Sequence, residues 1–75
     1  MTETAQKEMI SVIVNGEQRA IPAGCTISGM LEAIGLNPRK VAVERNFEVV
    51  PRSSLGDVEA CEGDSFEIVH FVGGG

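Results

Sequence analysis

Three glycines close the chain, Gly73, Gly74 and Gly75, and they follow directly on a strand-like apolar run over residues 66–72. A tail without Cβ atoms enters a channel too narrow for any other residue. It would present the α-carboxylate of Gly75 at its tip, and three extended residues reach roughly 10 Å. That carboxylate is a candidate functional group, but one that must be activated first: its charge repels nucleophiles and oxide is a poor leaving group. The remaining reactive side chains form no comparable constellation. His70 has no acid or nucleophile beside it in the pattern, which makes it a packed or edge side chain and not a general base. Cys25 and Cys61 lie far apart, in no Cys-x-x-Cys and without a second ligand pair, so no metal residue and no catalytic residue is assigned. A glycine run is also what a frayed chain end looks like, so the residues upstream must decide.

Size and composition narrow the choice. A chain of 75 residues forms one small domain, with little room for a large enclosed active site. Hydrophobic residues at 43% against 23% charged describe a folded chain, since disorder goes with fewer apolar residues and more charge. A formal net charge of -5 and a pI of about 4.6 argue against nucleic acid, which needs clustered Lys and Arg. A basic protein partner suits this sign better. No apolar run approaches the roughly 20 residues of a membrane span, and residues 1–8 lack the apolar centre of a secretion signal. The expectation is a cytoplasmic protein that binds neither nucleic acid nor membrane, with both thiols free.

The elements that must carry the tail read in order. Residues 1–8 are polar and aperiodic and read as a mobile lead. Residues 9–14 and 17–21 are strand-like on either side of Asn15-Gly16, the dipeptide of a type I′ hairpin. Ile10, Val12 and Val14 share one face. Pro22 and Gly24 end the second strand. Thr26 stands where an N-cap belongs, and Ile27, Met30, Leu31 and Ile34 form one apolar stripe before Gly35, so a short helix is predicted. Gly29 weakens that helix by roughly 1 kcal/mol relative to Ala, either to allow a close helix–sheet approach or as a tolerated defect. A turn at Asn37-Pro38 leads to a strand at residues 41–43, a polar corner at Glu44, Arg45 and Asn46, and a short strand to Pro51. An irregular crossing with one helical turn near Leu55 and a tight turn at Glu62-Gly63-Asp64 precede the last strand. Phe66, Ile68, His70 and Val72 point to one side of it, and Glu67, Val69 and Phe71 to the other. One helix across a mixed sheet buries both apolar surfaces. If the first and last strands are central neighbours, they run parallel.

Several segments together resemble a known family. They are the Ile-x-Val-x-Asn-Gly-Glu pattern in residues 10–17 (with one extra strand residue), Val-Ala-Val-Glu-Arg-Asn in 41–46, Val-Pro-Arg in 50–52, the Glu-Gly-Asp turn, and the closing Glu-Ile-Val-His-Phe-Val-Gly-Gly-Gly. Their order and spacing resemble the ThiS sulfur carriers of thiamine biosynthesis over residues 9–75. The resemblance implies an α+β, ubiquitin-like β-grasp domain over residues 9–72, followed by a flexible glycine tail at 73–75. It implies that a ubiquitin-activating-type adenylyltransferase, using ATP and magnesium, adenylates the Gly75 carboxylate. Sulfur from a cysteine-desulfurase persulfide then makes a thiocarboxylate that thiazole synthase receives. This chain would bind no cofactor itself, and its partners would do the catalysis.

Under this reading Gly73 and Gly74 give reach and slimness, and Gly75 carries the sulfur. Val69 and Phe71, opposite the core face of the last strand, are candidates for partner docking or for packing under a loop. Glu44, Arg45 and Asn46 are candidates for a partner contact or for capping the strand pair. Arg52 could pair with a surface carboxylate. Three alternatives stay open: a sulfur carrier for molybdopterin synthesis, a β-grasp interaction module with incidental glycines, and an enzyme with Cys25 or Cys61 as nucleophile.

Overall fold

Asn15 and Gly16 turn the chain with φ of +50° and +85°, the left-handed pair that a type I′ hairpin requires. They join β1 (Met9–Val14) to β2 (Glu17–Pro22) in antiparallel register, Val14 opposite Glu17 and Met9 opposite Pro22. The computed structural model describes residues 8–71. Most of the expected N-terminal lead, Val72 and the glycine tail therefore lie outside the described residues. Glu8, assigned to the lead, already extends the hairpin ladder: its carbonyl accepts from the Ala23 N–H at 2.9 Å.

Helix α1 (Ile27–Ala33) starts at Thr26, whose hydroxyl accepts from the Gly29 N–H at 3.0 Å. It stops at Gly35, where φ is +89° and a Cβ would be penalised. Ile27, Met30 and Leu31 are buried and Ile34 partly so, as the stripe predicted. Nothing from the sheet approaches Gly29. The nearest atoms to a Cβ there would be Thr26 Oγ1 at 3.4 Å and Cys25 Cβ at 3.5 Å, ordinary contacts within the helix cap. Gly29→Ala is therefore expected to raise the unfolding free energy by about 0.5–1 kcal/mol, measured by chemical denaturation.

A 3₁₀ turn at Pro38–Lys40 leads into β3 (Val41–Arg45), which pairs antiparallel with β4 (Glu48–Val50). The expected corner at Glu44, Arg45 and Asn46 is displaced. Glu44 and Arg45 are strand residues, and the turn is Asn46-Phe47, with φ of +51° and +72°. Polar residue types suggested a loop, but Glu44 points to the solvated side of the strand, and Arg45, on the opposite side at the strand's end, pairs with Asp64. Phe47 is an L-residue in the left-handed region and is 87% exposed. That conformation costs about 1–2 kcal/mol, of which glycine's greater unfolded-state freedom would take back roughly 0.5–1 kcal/mol. Phe47→Gly should thus raise stability by about 0.5–1 kcal/mol, seen as a higher melting temperature.

After a second 3₁₀ turn at Arg52–Ser54, Leu55 drops into the core and the chain crosses to β5 (Ser65–His70). Strand β5 lies in the middle of a five-stranded sheet of order β2-β1-β5-β3-β4. It runs parallel to β1, with Val14 beside Phe66, and antiparallel to β3. Val12, Val14, Ile21, Val41, Val43, Phe66 and Ile68 meet α1 on one side of the sheet. The result is the mixed sheet crossed by one helix that the sequence led us to expect, a β-grasp arrangement.

Candidate functional site

Strand β5 precedes the glycine run in the sequence. Beyond His70 the Phe71 N–H still donates to the Lys40 carbonyl at 3.0 Å, so the chain is held against β3 up to the last described residue. Two residues back from His70, the strand is also fixed by Asn15. Its Oδ1 accepts from the Ile68 N–H at 2.7 Å and its Nδ2 donates to the Ile68 carbonyl at 3.1 Å. The hairpin turn and the central strand are thereby fastened where their own ladder ends. The Asn-Gly dipeptide announced the turn, but a side-chain bond reaching 53 positions along the chain leaves no mark in the sequence.

On the side of the sheet away from α1, Val69 is 61% and Phe71 54% exposed. Ala42 stands opposite Val69 and Val49 opposite Glu44, and Val49 is also exposed. Ile13, on the same side of β1, widens the apolar area. Arg52 frames its end: the guanidinium sits 5.0 Å from the Phe71 ring centroid, and Nη1 donates to the Arg39 carbonyl at 2.7 Å. The expected carboxylate partner of Arg52 is thus replaced by an aromatic face and a carbonyl, a stacking that guanidinium favours. An open groove of about 210 Å³ runs beneath, lined by Ala42, Val49, Pro51, Arg52 and Phe71 among others.

The three corner candidates separate. Glu44 is exposed on this outer face. Arg45 and Asn46 instead bond within the fold to Asp64. Arg45 Nε donates to Asp64 Oδ2 at 2.9 Å, Asn46 Nδ2 to Oδ1 at 3.1 Å, and the Cys61 N–H to Oδ2 at 2.9 Å. Asn46 Oδ1 also accepts from the Ser65 N–H at 2.9 Å. Burial pushes the Asp64 carboxyl upward, but the donors from Cys61, Arg45 and Asn46 outweigh it and hold the group below the usual carboxylate range. The carboxylate in turn raises the Arg45 guanidinium. Asp64 read as a turn residue in sequence; only the folded hairpin supplies the donors that let it be buried.

His70 is exposed and lies with Arg19, Glu17 and Asn15 along a shallow hollow beside Ile34 and Leu36. Cys25 and Cys61 are unpaired. Among the described residues no three His, Cys, Asp or Glu side chains gather as a metal site, and no helix is long and apolar enough to cross a membrane.

A five-stranded mixed sheet with β5 at its centre and one helix packed across it defines a β-grasp domain. The model of the ThiS family matches residues 12–75, and the chain belongs to that family. A sulfur carrier protein ThiS of Bacillus subtilis is 46% identical over 50 residues, covering 67% of this chain and 76% of that protein. A thiazole synthase of Paramagnetospirillum magneticum is 47% identical over 66 residues, which is 88% of this chain but 20% of that longer protein. The crystal structure of a thiamine biosynthesis protein (ThiS) from Geobacter metallireducens superposes with a TM-score of 0.72 at 28% identity, over 88% of this chain and all of that one. A designed protein on a ubiquitin template shares the fold alone, with a TM-score of 0.51 at 13% identity.

Proposed function

We propose that this chain carries sulfur as a thiocarboxylate on Gly75 and delivers it for thiazole formation. The observation that carries the reading is that the family match extends through residue 75, so the glycines belong to the matched domain. An adenylyltransferase of the ubiquitin-activating type couples the carboxylate to AMP, releasing pyrophosphate from magnesium-bound ATP. The mixed anhydride replaces oxide with AMP as leaving group. A persulfide sulfur from a cysteine desulfurase displaces AMP, and a thiol then releases the desulfurase cysteine as a disulfide. One oxygen of Gly75 has become sulfur, soft and nucleophilic, and tethered so that it reaches one acceptor.

Thiazole synthase is the acceptor in this reading. A stretch closely similar to this chain within proteins of that name fits a carrier and acceptor that work as a pair. Val69 and Phe71, with Val49 and Ala42, form the docking surface, because an apolar patch just before the glycine run in sequence brings the carboxylate to a partner in one orientation. Glu44 lies within it, whereas Arg45 and Asn46 shape it from behind through Asp64. Intact mass after incubation with adenylyltransferase, ATP, magnesium, desulfurase, cysteine and a thiol tests the proposal. The expected gain equals the difference between sulfur and oxygen and localises to Gly75; no gain, or a gain on Cys25 or Cys61, overturns it.

A further inference from the structure

Two carboxylates stand directly opposite one another in the middle of the outer face. Glu44 on β3 and Glu67 on β5 are cross-strand partners, and both are exposed. Like charges so placed destabilise a sheet, and among the described residues the one ion pair, Arg45 with Asp64, lies elsewhere. Val49 stands opposite Glu44, and Ala42 and Val69 lie two positions along the strands, with polar Ser65 on the other side of Glu67.

A partner that covers Val49, Ala42 and Val69 must therefore cover Glu44 and Glu67 as well. Desolvating two carboxylates is strongly unfavourable unless the partner supplies charged donors. We infer that the partner surface docking here carries a basic side chain, an arginine, set in an apolar surround and seated between Glu44 and Glu67. A guanidinium stays charged when buried and presents N–H donors in a planar fork, enough to engage two carboxylates at once. The net charge of -5 steers such a surface toward this chain from a distance. The face thereby selects its partner by charge as well as by shape. This rests on the carrier reading and names the chemistry of the surface its docking face accepts.

The test uses the full chain and a purified adenylyltransferase of the ubiquitin-activating type from the same organism. Binding is measured by titration at several salt concentrations, and loading by mass. Glu44→Gln with Glu67→Gln keeps the side-chain shapes and removes the repulsion, so the variant should melt no lower than the parent. Its affinity should fall by about tenfold or more, with a weaker dependence on salt. If the parent is loaded and the double variant binds as tightly with the same salt dependence, the inference is overturned and the carrier function stands. A parent that is never adenylated overturns both.

Discussion

Deletion of Gly75 should slow sulfur loading by at least about 100-fold and leave the melting temperature unchanged. The two halves of this expectation have separate physical grounds. All buried residues among those described lie between Val12 and Ile68, so the deletion removes none of the described core. Loading, in contrast, depends on reach. One residue fewer withdraws the terminal carboxylate by about 3.5 Å, while attack on a phosphate needs reacting atoms about 3–3.5 Å apart and a misplacement of 1 Å can cost on the order of 100-fold. The rate of adenylate formation, followed as pyrophosphate exchange, should therefore fall by at least about 100-fold. Gly75→Ala keeps the length and retains more activity than the deletion, which separates reach from slimness. Loading of the shortened chain at the parent rate would move the sulfur to another group and remove the basis of the carrier assignment.

What could be read in advance follows the range of the interactions. Asn15-Gly16, Thr26, the stripe of Ile27, Met30 and Leu31, and Gly35 act on neighbours within a turn or two, and each formed the element expected of it. The parallel neighbours β1 and β5 carry no mark in any residue. They followed from the need to bury one helix stripe and one apolar sheet face together. Strand β3 ran longer than expected because Glu44 and Arg45 were read as loop residues by polarity. On a sheet with one solvated face Glu44 points outward as a strand residue can, while Arg45 points the other way and is accommodated by pairing with Asp64.

The site divides in the same way. Residue types and their position at the end of the sequence pointed to Gly75 and to Val69 and Phe71, since each is visible in its own strand or tail. The companions of that face, Val49, Ala42 and Ile13, join it only through the strand order and register. The opposition of Glu44 and Glu67 depends on register alone, because a slip of one residue would send one of them to the core face. Arg52 shows a choice among long-range partners: a cation with many carboxylates in the sequence settles on Phe71 and a carbonyl, where the fold places it.

Asp64 holds the second large effect. Asp64→Ala should lower the unfolding free energy by about 2–3 kcal/mol, because it orphans the Cys61 N–H and leaves the half-buried Arg45 guanidinium unpaired. The loss is smaller than for a fully buried pair, since the Arg45 side chain keeps 31% of its exposure to solvent. Asp64→Asn retains an acceptor and loses the charge, and should cost about 1 kcal/mol. Acid then distinguishes the variants. The carboxyl is held below its unfolded value, so in the acid range the unfolded chain binds the proton more readily than the native one. The stabilisation is complete at pH values above the ordinary Asp value of about 3.9. It declines as pH falls below that value and is gone once pH has passed through the depressed native value. Denaturation curves at neutral and acid pH should therefore converge for the parent and Asp64→Asn as pH falls. Equal stability of Asp64→Ala and the parent at neutral pH would show that Arg45 and Asn46 order the β3–β4 turn without it. They would then be free to face a partner. The expected loss instead ties both residues to the carboxylate that keeps Glu44, one strand position away, aimed at the docking face.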